Sequence, residues 1–221
     1  MISGTTIGDR YAATSFDTFE ATNQSGNKAL EACKRLASGK SDGVILCGPV
    51  GTGKTHLLIS TVKEFNRLRT YIPAEESGPE IEVPPIADLM AGQYGEVDRS
   101  APYLTRAEIS VVAKVHYWMI LDLAKALRDD ALDSHGTMTE ECMTCHLLVI
   151  DDLGREKESE FLRQEIERVI DFRYRQMLPT AIATNHKLDE LYDVYGEHMM
   201  SRLQQSCEIV EVLGNDYRRK S

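Results

Sequence analysis

Gly48-Pro49-Val50-Gly51-Thr52-Gly53-Lys54-Thr55 is entered from the apolar run Val44-Ile45-Leu46-Cys47 and leaves through His56 into a helical pattern that reaches about Leu68. The stretch therefore spells a strand, a glycine-rich turn and the opening of a helix. Glycines allow the backbone N–H groups of such a turn to close around an anion, and the positive end of the helix dipole faces the same point. Lys54 has the reach for β and γ phosphate oxygens, and the Thr55 hydroxyl is placed to hold Mg²⁺. Residues Gly48 to His56 are thus a candidate cradle for a nucleoside triphosphate, with ATP and Mg²⁺ as the expected cofactors.

The second run to place is Leu147-Leu148-Val149-Ile150, continuous and apolar as in a strand buried on both faces, closed by Asp151-Asp152. An acid at the carboxyl end of a strand beside the phosphate-loop strand lies where an α/β sheet binds its ligand. Asp151 is the candidate metal residue with Thr55, and Asp152 the candidate catalytic acid that polarises an attacking water. Thr184-Asn185 ends another strand, 180–183, and offers an amide near the γ-phosphate; on its own that pair also reads as a turn or helix cap.

Between these lie a helix at 27–37 ended by Gly39, a strand at 115–121 and a helix at 123–132. A helix from Glu158 to about Arg175 follows, then short helices at 188–192 and 197–204 and a strand at 207–212. Strands alternating with helices imply a mainly parallel sheet with right-handed crossovers, an α/β fold of the P-loop NTPase class. Residues 70–113, with Pro73, Pro79, Pro84, Pro85 and Pro102 among acidic residues, read as an insertion: a solvated excursion or a partner-binding element.

The 221 residues, 42% hydrophobic, suffice for one domain. Net charge −10 argues against binding nucleic acid over the whole surface and leaves room for a local basic patch. Five cysteines, an odd number without framework spacing, fit a reducing compartment. With neither a signal-peptide core nor a membrane-length apolar run, a cytoplasmic location is expected. Cys142-Met143-Thr144-Cys145-His146 matches the spacing of haem attachment, yet it runs into a buried strand and lacks a second ligand pair for zinc.

The set Gly48 to Thr55, Leu147 to Gly154, Thr184-Asn185, Ser201-Arg202 and Gly214-Asn215-Asp216-Tyr217-Arg218 resembles the AAA+ ATPases of the DnaC/DnaI helicase-loader and IstB family, relatives of the DnaA initiators. Ser15-Phe16-Asp17-Thr18-Phe19, followed by Asn23 and a helix, resembles the lead-in whose residues flank the adenine in that family. The resemblance implies a short arm at 1–14, an AAA+ domain at 15–221 and no C-terminal helical lid. It implies Asn185 as the first sensor and Arg202 as the arginine that reaches a neighbouring subunit's γ-phosphate; an arginine paired to a nearby acid is the competing reading. Arg218 is either a second phosphate-facing arginine or part of a basic tail.

By the same resemblance, a helical element at about 122–141 sits where loaders thread single-stranded DNA. Lys125 and Arg128 are its candidate contacts, Arg163 and Arg173 lesser ones, and an ordinary solvated face is the alternative. The implied activity is ATP hydrolysis to ADP and phosphate, with an oligomer in the ATP-bound state, single-stranded DNA and a replicative helicase as partners, and no membrane. The helicase contact is in question, because the residues before Ser15 are too few for the domain that grips it. A transposition helper acting on duplex DNA, a phosphotransferase, and a nucleotide-gated adaptor with little hydrolysis are the other function classes.

Overall fold

The computed structural model describes residues 2–70, 113–132, 137–156, 159–214 and 216–217. The strands are β1 (Ile2–Gly4), β2 (Gly43–Cys47), β3 (Val115–Met119), β4 (Leu147–Leu153), β5 (Thr180–Thr184) and β6 (Glu208–Glu211). The helices are α1 (Gln24–Ala37), α2 (Lys54–Thr70), α3 (Ile120–Leu132), α4 (Met138–Thr144), α5 (Glu160–Arg175) and α6 (Leu188–Ser206). The strands form one sheet in the order β1-β3-β4-β5-β2-β6, and every pairing is parallel. Parallel strands need helices on both faces, which explains why β2 and β5 are buried along their whole length.

Two apolar layers follow from that sandwich. Val44, Leu46, Leu57, Leu58, Phe65, Val149 and Ala183 pack with α1 and α2 on one face. Ile45, Leu148, Ile150, Ile182, Ile166, Ile170 and Leu203 pack with α3 to α6 on the other. The alternation along β2, Val44 and Leu46 against Ile45, is the period-2 pleat of a strand covered on both sides.

Several local readings change. β4 does not adjoin the phosphate-loop strand: β5 returns after α5 and pairs with both β2 and β4, so Asn185 rather than the aspartate pair ends the adjacent strand. The third strand stops at Met119 and α3 begins at Ile120, inside the apolar run Ile120-Leu121 that sequence pattern alone assigns to the strand. The residues read as an arm carry β1, which extends the sheet beside β3. α6 is two helices joined across a kink at Gly196, whose φ of 80° only glycine adopts readily. The start of the helix read from Glu158 and residues 71–112, nearly all of the expected insertion, lie outside the described residues, as does Arg218. Among the described residues no helix is long and apolar enough to cross a membrane.

Candidate nucleotide site

The loop after β2 borders a cavity of about 550 Å³, within the range that small-molecule sites occupy. Gly51 and Gly53 take φ of 84° and 93°, left-handed conformations that turn successive N–H groups toward one side. Side chains would also collide there: a Cβ on Gly53 would lie 2.7 Å from Phe19 Cε2, and one on Gly51 would overlap the Asp216 carboxylate. Lys54 is buried and donates to the carbonyls of Gly48 and Pro49, 2.7 Å each, so its charge stands inside the loop. Thr52 braces the turn through Oγ1 to Pro49 O at 3.0 Å.

On the far wall, β4 and β5 lose register between Ile150 and Leu153, and Asp152 sits in that irregularity with φ of 60°. Such a bulge re-aims one side chain, and an aspartate tolerates the left-handed backbone better than most residues. Asp152 accordingly reaches the cavity, where Oδ1 accepts from Asn185 Nδ2 at 2.9 Å and Oδ2 from Arg155 Nη1 at 3.2 Å. Asp151 points inward. It accepts from the Thr55 hydroxyl, from Tyr117 Oη at 3.0 Å and from the Asp152 N–H at 3.0 Å.

Burial pushes the Asp151 carboxyl above its usual range, and the Asp152 charge adds to that, against the lowering effect of its hydrogen bonds. A divalent cation would offset both the burial and the Asp152 charge. Thr55 and Asp151 offer a hydroxyl and a carboxylate, hard oxygen donors of the kind Mg²⁺ takes together with phosphate oxygens. No group of three or more His, Cys, Asp or Glu that could hold a metal occurs among the described residues. The residues present fit ATP with Mg²⁺.

His56 closes the near side: Nε2 is 2.9 Å from Ser15 O, and the ring meets Phe19 edge-on at 5.5 Å between centroids. Pro49 and Val50 complete the loop, Val50 facing the cavity. Tyr217 N–H donates to Gly51 O at 3.0 Å and Tyr217 Oη to Glu20 O at 2.9 Å, so the segment after β6 folds over the loop. Asn23, in the lead-in, is an N-cap: Oδ1 accepts from Gly26 N–H at 2.8 Å and Nδ2 donates to Leu213 O at 2.7 Å.

Arg202 stands apart from the cavity, on α6, with Nη2 2.8 Å from Asp171 Oδ1 of α5. Lys125 and Arg128 lie on the exposed face of α3, and Arg163 is exposed on α5. Arg173 is no DNA contact. It is 1% exposed and donates to the carbonyls of Cys142, Met143, Cys145 and Pro179 at 2.6–3.1 Å and to Thr180 Oγ1 at 3.0 Å. The densely charged sequence of α5 hides this inward-facing position. The C-x-x-C-H segment forms the end of α4 and the entry to β4 around that guanidinium, its thiols buried and unbridged and the Cys142 thiol pushed up to about 12 by burial.

Sequence pattern missed four residues at the site. Tyr117 reads as one more strand residue, yet its hydroxyl holds Asp151. Arg155 follows the aspartate pair closely enough to have been suspected. His186 links the loop after β4 to the start of α6, with Nε2 3.0 Å from Gly154 O and Nδ1 2.9 Å from Glu190 Oε2. Arg10 reaches the cavity from the N-terminal segment, and nothing local to its sequence announces it.

Residues 101–221 match the family model described as IstB-like ATP binding protein. The Replicative helicase loader DnaC of Escherichia coli (strain K12) is 30% identical over 89 residues, 38% of this chain and 36% of that protein, so the match spans about a third of the relative's length. Among solved structures, the DnaC helicase loader superposes with a TM-score of 0.67 at 21% identity, over 93% of this chain and all of that one. DnaI gives 0.62 at 16% identity over 97% and 96%. The replication initiator DnaA bound to AMPPCP and single-stranded DNA gives 0.65 at 18% identity over 94% of this chain and 51% of that one. At these identities the structural likeness establishes the fold, an AAA+ core of the P-loop NTPase class. The family model covers more than half of the sequence, and the chain belongs to the IstB-like ATP-binding proteins.

Proposed function

We propose that this protein is an ATPase that uses ATP binding and hydrolysis as an assembly switch on single-stranded DNA in replication, helping to load a replicative helicase. The observation that carries the reading is the convergence on one cavity of Lys54, Thr55 and the Asp152 to Asn185 pair, with Asp151 buried behind Thr55 and hydrogen-bonded to its hydroxyl. Mg²⁺ held by Thr55 and Asp151 would neutralise charge on the phosphates. Asp152 is aimed and oriented by Asn185, which suits it to polarise a water; a change in the terminal phosphate would be felt through the same hydrogen bond.

Arg202 fits a role between subunits, since its place on α6, away from its own cavity, leaves a guanidinium to be drawn from Asp171 toward a neighbour's phosphate. ATP would then favour the oligomer, and hydrolysis would release it. The similarity to DnaC and to DnaA with single-stranded DNA supports the choice of partners. Lys125 and Arg128 are the proposed phosphate contacts.

The test is anisotropy of labelled single-stranded DNA titrated with protein in Mg-ATP and in Mg-ADP at one salt concentration. We expect tighter binding with ATP, and loss of that gain in Arg202→Ala. Equal binding in the two nucleotides would remove the switch. A second reading, a helper ATPase acting on duplex DNA, is favoured by the match to the IstB-like model, and preference for a duplex in the same titration would select it.

A further inference from the structure

One wall of the cavity comes from the segment before Ser15. The 3-10 turn Asp9–Tyr11 brings Arg10 and Tyr11 to the space that Lys54, Thr55, Asp152 and Asn185 also border. The segment is fixed on both sides of that turn. Before it, β1 pairs with β3, Thr5 N–H donates to Tyr117 O at 2.7 Å, and Thr5 Oγ1 donates to Asp122 at 2.7 Å while accepting from Met119 N–H at 3.0 Å. After it, Lys63 on α2 donates to the carbonyls of Tyr11, Ala12 and Thr14 at 2.6, 2.8 and 3.0 Å, using all three ammonium protons. The sheet edge and the helix that follows the glycine loop therefore set where Arg10 begins.

The other basic side chains on the cavity have partners: Lys54 the loop carbonyls, Arg155 the Asp152 carboxylate, His56 the Ser15 carbonyl. The Arg10 side chain is exposed and makes no hydrogen bond or ion pair with the described residues. Its neighbour Tyr11 lies near Tyr117, and Tyr117 in turn donates to Asp151. Arg10 thus borders the same cavity as the Asp152 carboxylate. A guanidinium there presents a planar fork of donors matched to a phosphate.

We propose that Arg10 contacts the terminal phosphate of a nucleoside triphosphate bound in its own subunit, which makes the N-terminal segment part of the nucleotide site. The inference rests on the reading of this cavity as a nucleotide site. It also ties occupancy by the terminal phosphate to the strand β1, because the same short segment carries both.

The experiment is equilibrium binding of fluorescent ATP and ADP analogues, with Mg²⁺, to the full chain and to its Arg10→Ala and Arg10→Lys variants. Loss of one charge-assisted contact should weaken the triphosphate about tenfold and the diphosphate less than about twofold, with Arg10→Lys intermediate. Melting temperature should not move, since Arg10 is exposed. Equal weakening of both nucleotides, or of neither, overturns the inference and leaves the nucleotide site standing. If the unaltered chain binds neither analogue, the nucleotide reading fails and the inference with it.

Discussion

The loop Gly48 to Thr55 and the segment Cys142 to His146 both look, as strings of residues, like places to hold something. One borders a cavity; the other is filled from within. At Gly51 and Gly53 the left-handed backbone lets the loop close against Asp216 and Phe19 while still bordering an open cavity. At the cysteine segment, Arg173 enters from α5 and its donors meet the carbonyls at the end of α4. A cation at the negative end of a helix dipole is favourable, and the carbonyls that helix ends leave over are satisfied by protein. The difference lies in whether the fold itself uses up the polar groups a motif presents. Ligand sites are where it does not.

The two segments differ most at Arg173, which fills one of them. Replacing it with Met keeps an unbranched chain but strands the carbonyls of Cys142, Met143, Cys145 and Pro179 in the interior. Removing one side of a buried charged network costs about 3–5 kcal/mol. We expect the Arg173→Met variant to melt about 10 °C lower in a thermal unfolding scan, at the sensitivity usual for a chain of this size. A variant that melts as the wild type but binds DNA less well would restore Arg173 to the surface and dissolve the contrast.

A smaller effect of opposite sign is expected at Asp151. Its carboxyl is raised by burial, so the folded state holds the proton more tightly than the unfolded chain does. Stability contributed by this group is therefore greatest below the ordinary aspartate range. It falls as pH rises toward the elevated folded value and stays low above it. Asp151→Asn removes the penalty, and the Thr55 and Tyr117 hydroxyls can reverse to accept from the new amide. Without nucleotide, the variant should melt about 2–4 °C higher than wild type at pH 8, the size of a 1 kcal/mol gain, and the advantage should vanish in acid. A lower melting point at pH 8 would mean that the hydrogen bonds to Asp151 outweigh its burial.

Much of this site is legible in sequence because its residues act locally. Gly51, Gly53, Lys54 and Thr55 work through the backbone turn they themselves create, and Asp151-Asp152 lie within the last residues of the strand that aims them. The order of strands is another matter. That β5 lies between β2 and β4 depends on long-range pairing, and no period along the chain encodes which parallel strand inserts where. Arg173 and Arg10 are hidden for the same reason. One turns inward on a helix whose composition is charged, and the other reaches the site only because three residues of β1 pair with β3, some 110 positions further along the chain. The two-helix reading of 188–204 needed only Gly196, a local signal.

The most direct measurement is calorimetric titration of Mg-ATP into the wild-type chain and into Lys54→Ala. If the cavity beside Gly48 to His56 is a nucleotide site, the wild type should bind with one site per chain. Lys54→Ala should then bind about a hundredfold more weakly or not measurably, since it loses a charge-assisted contact buried inside the loop. Equal affinity in the two proteins would contradict the assignment, because a ligand indifferent to Lys54 does not have its phosphates in that loop.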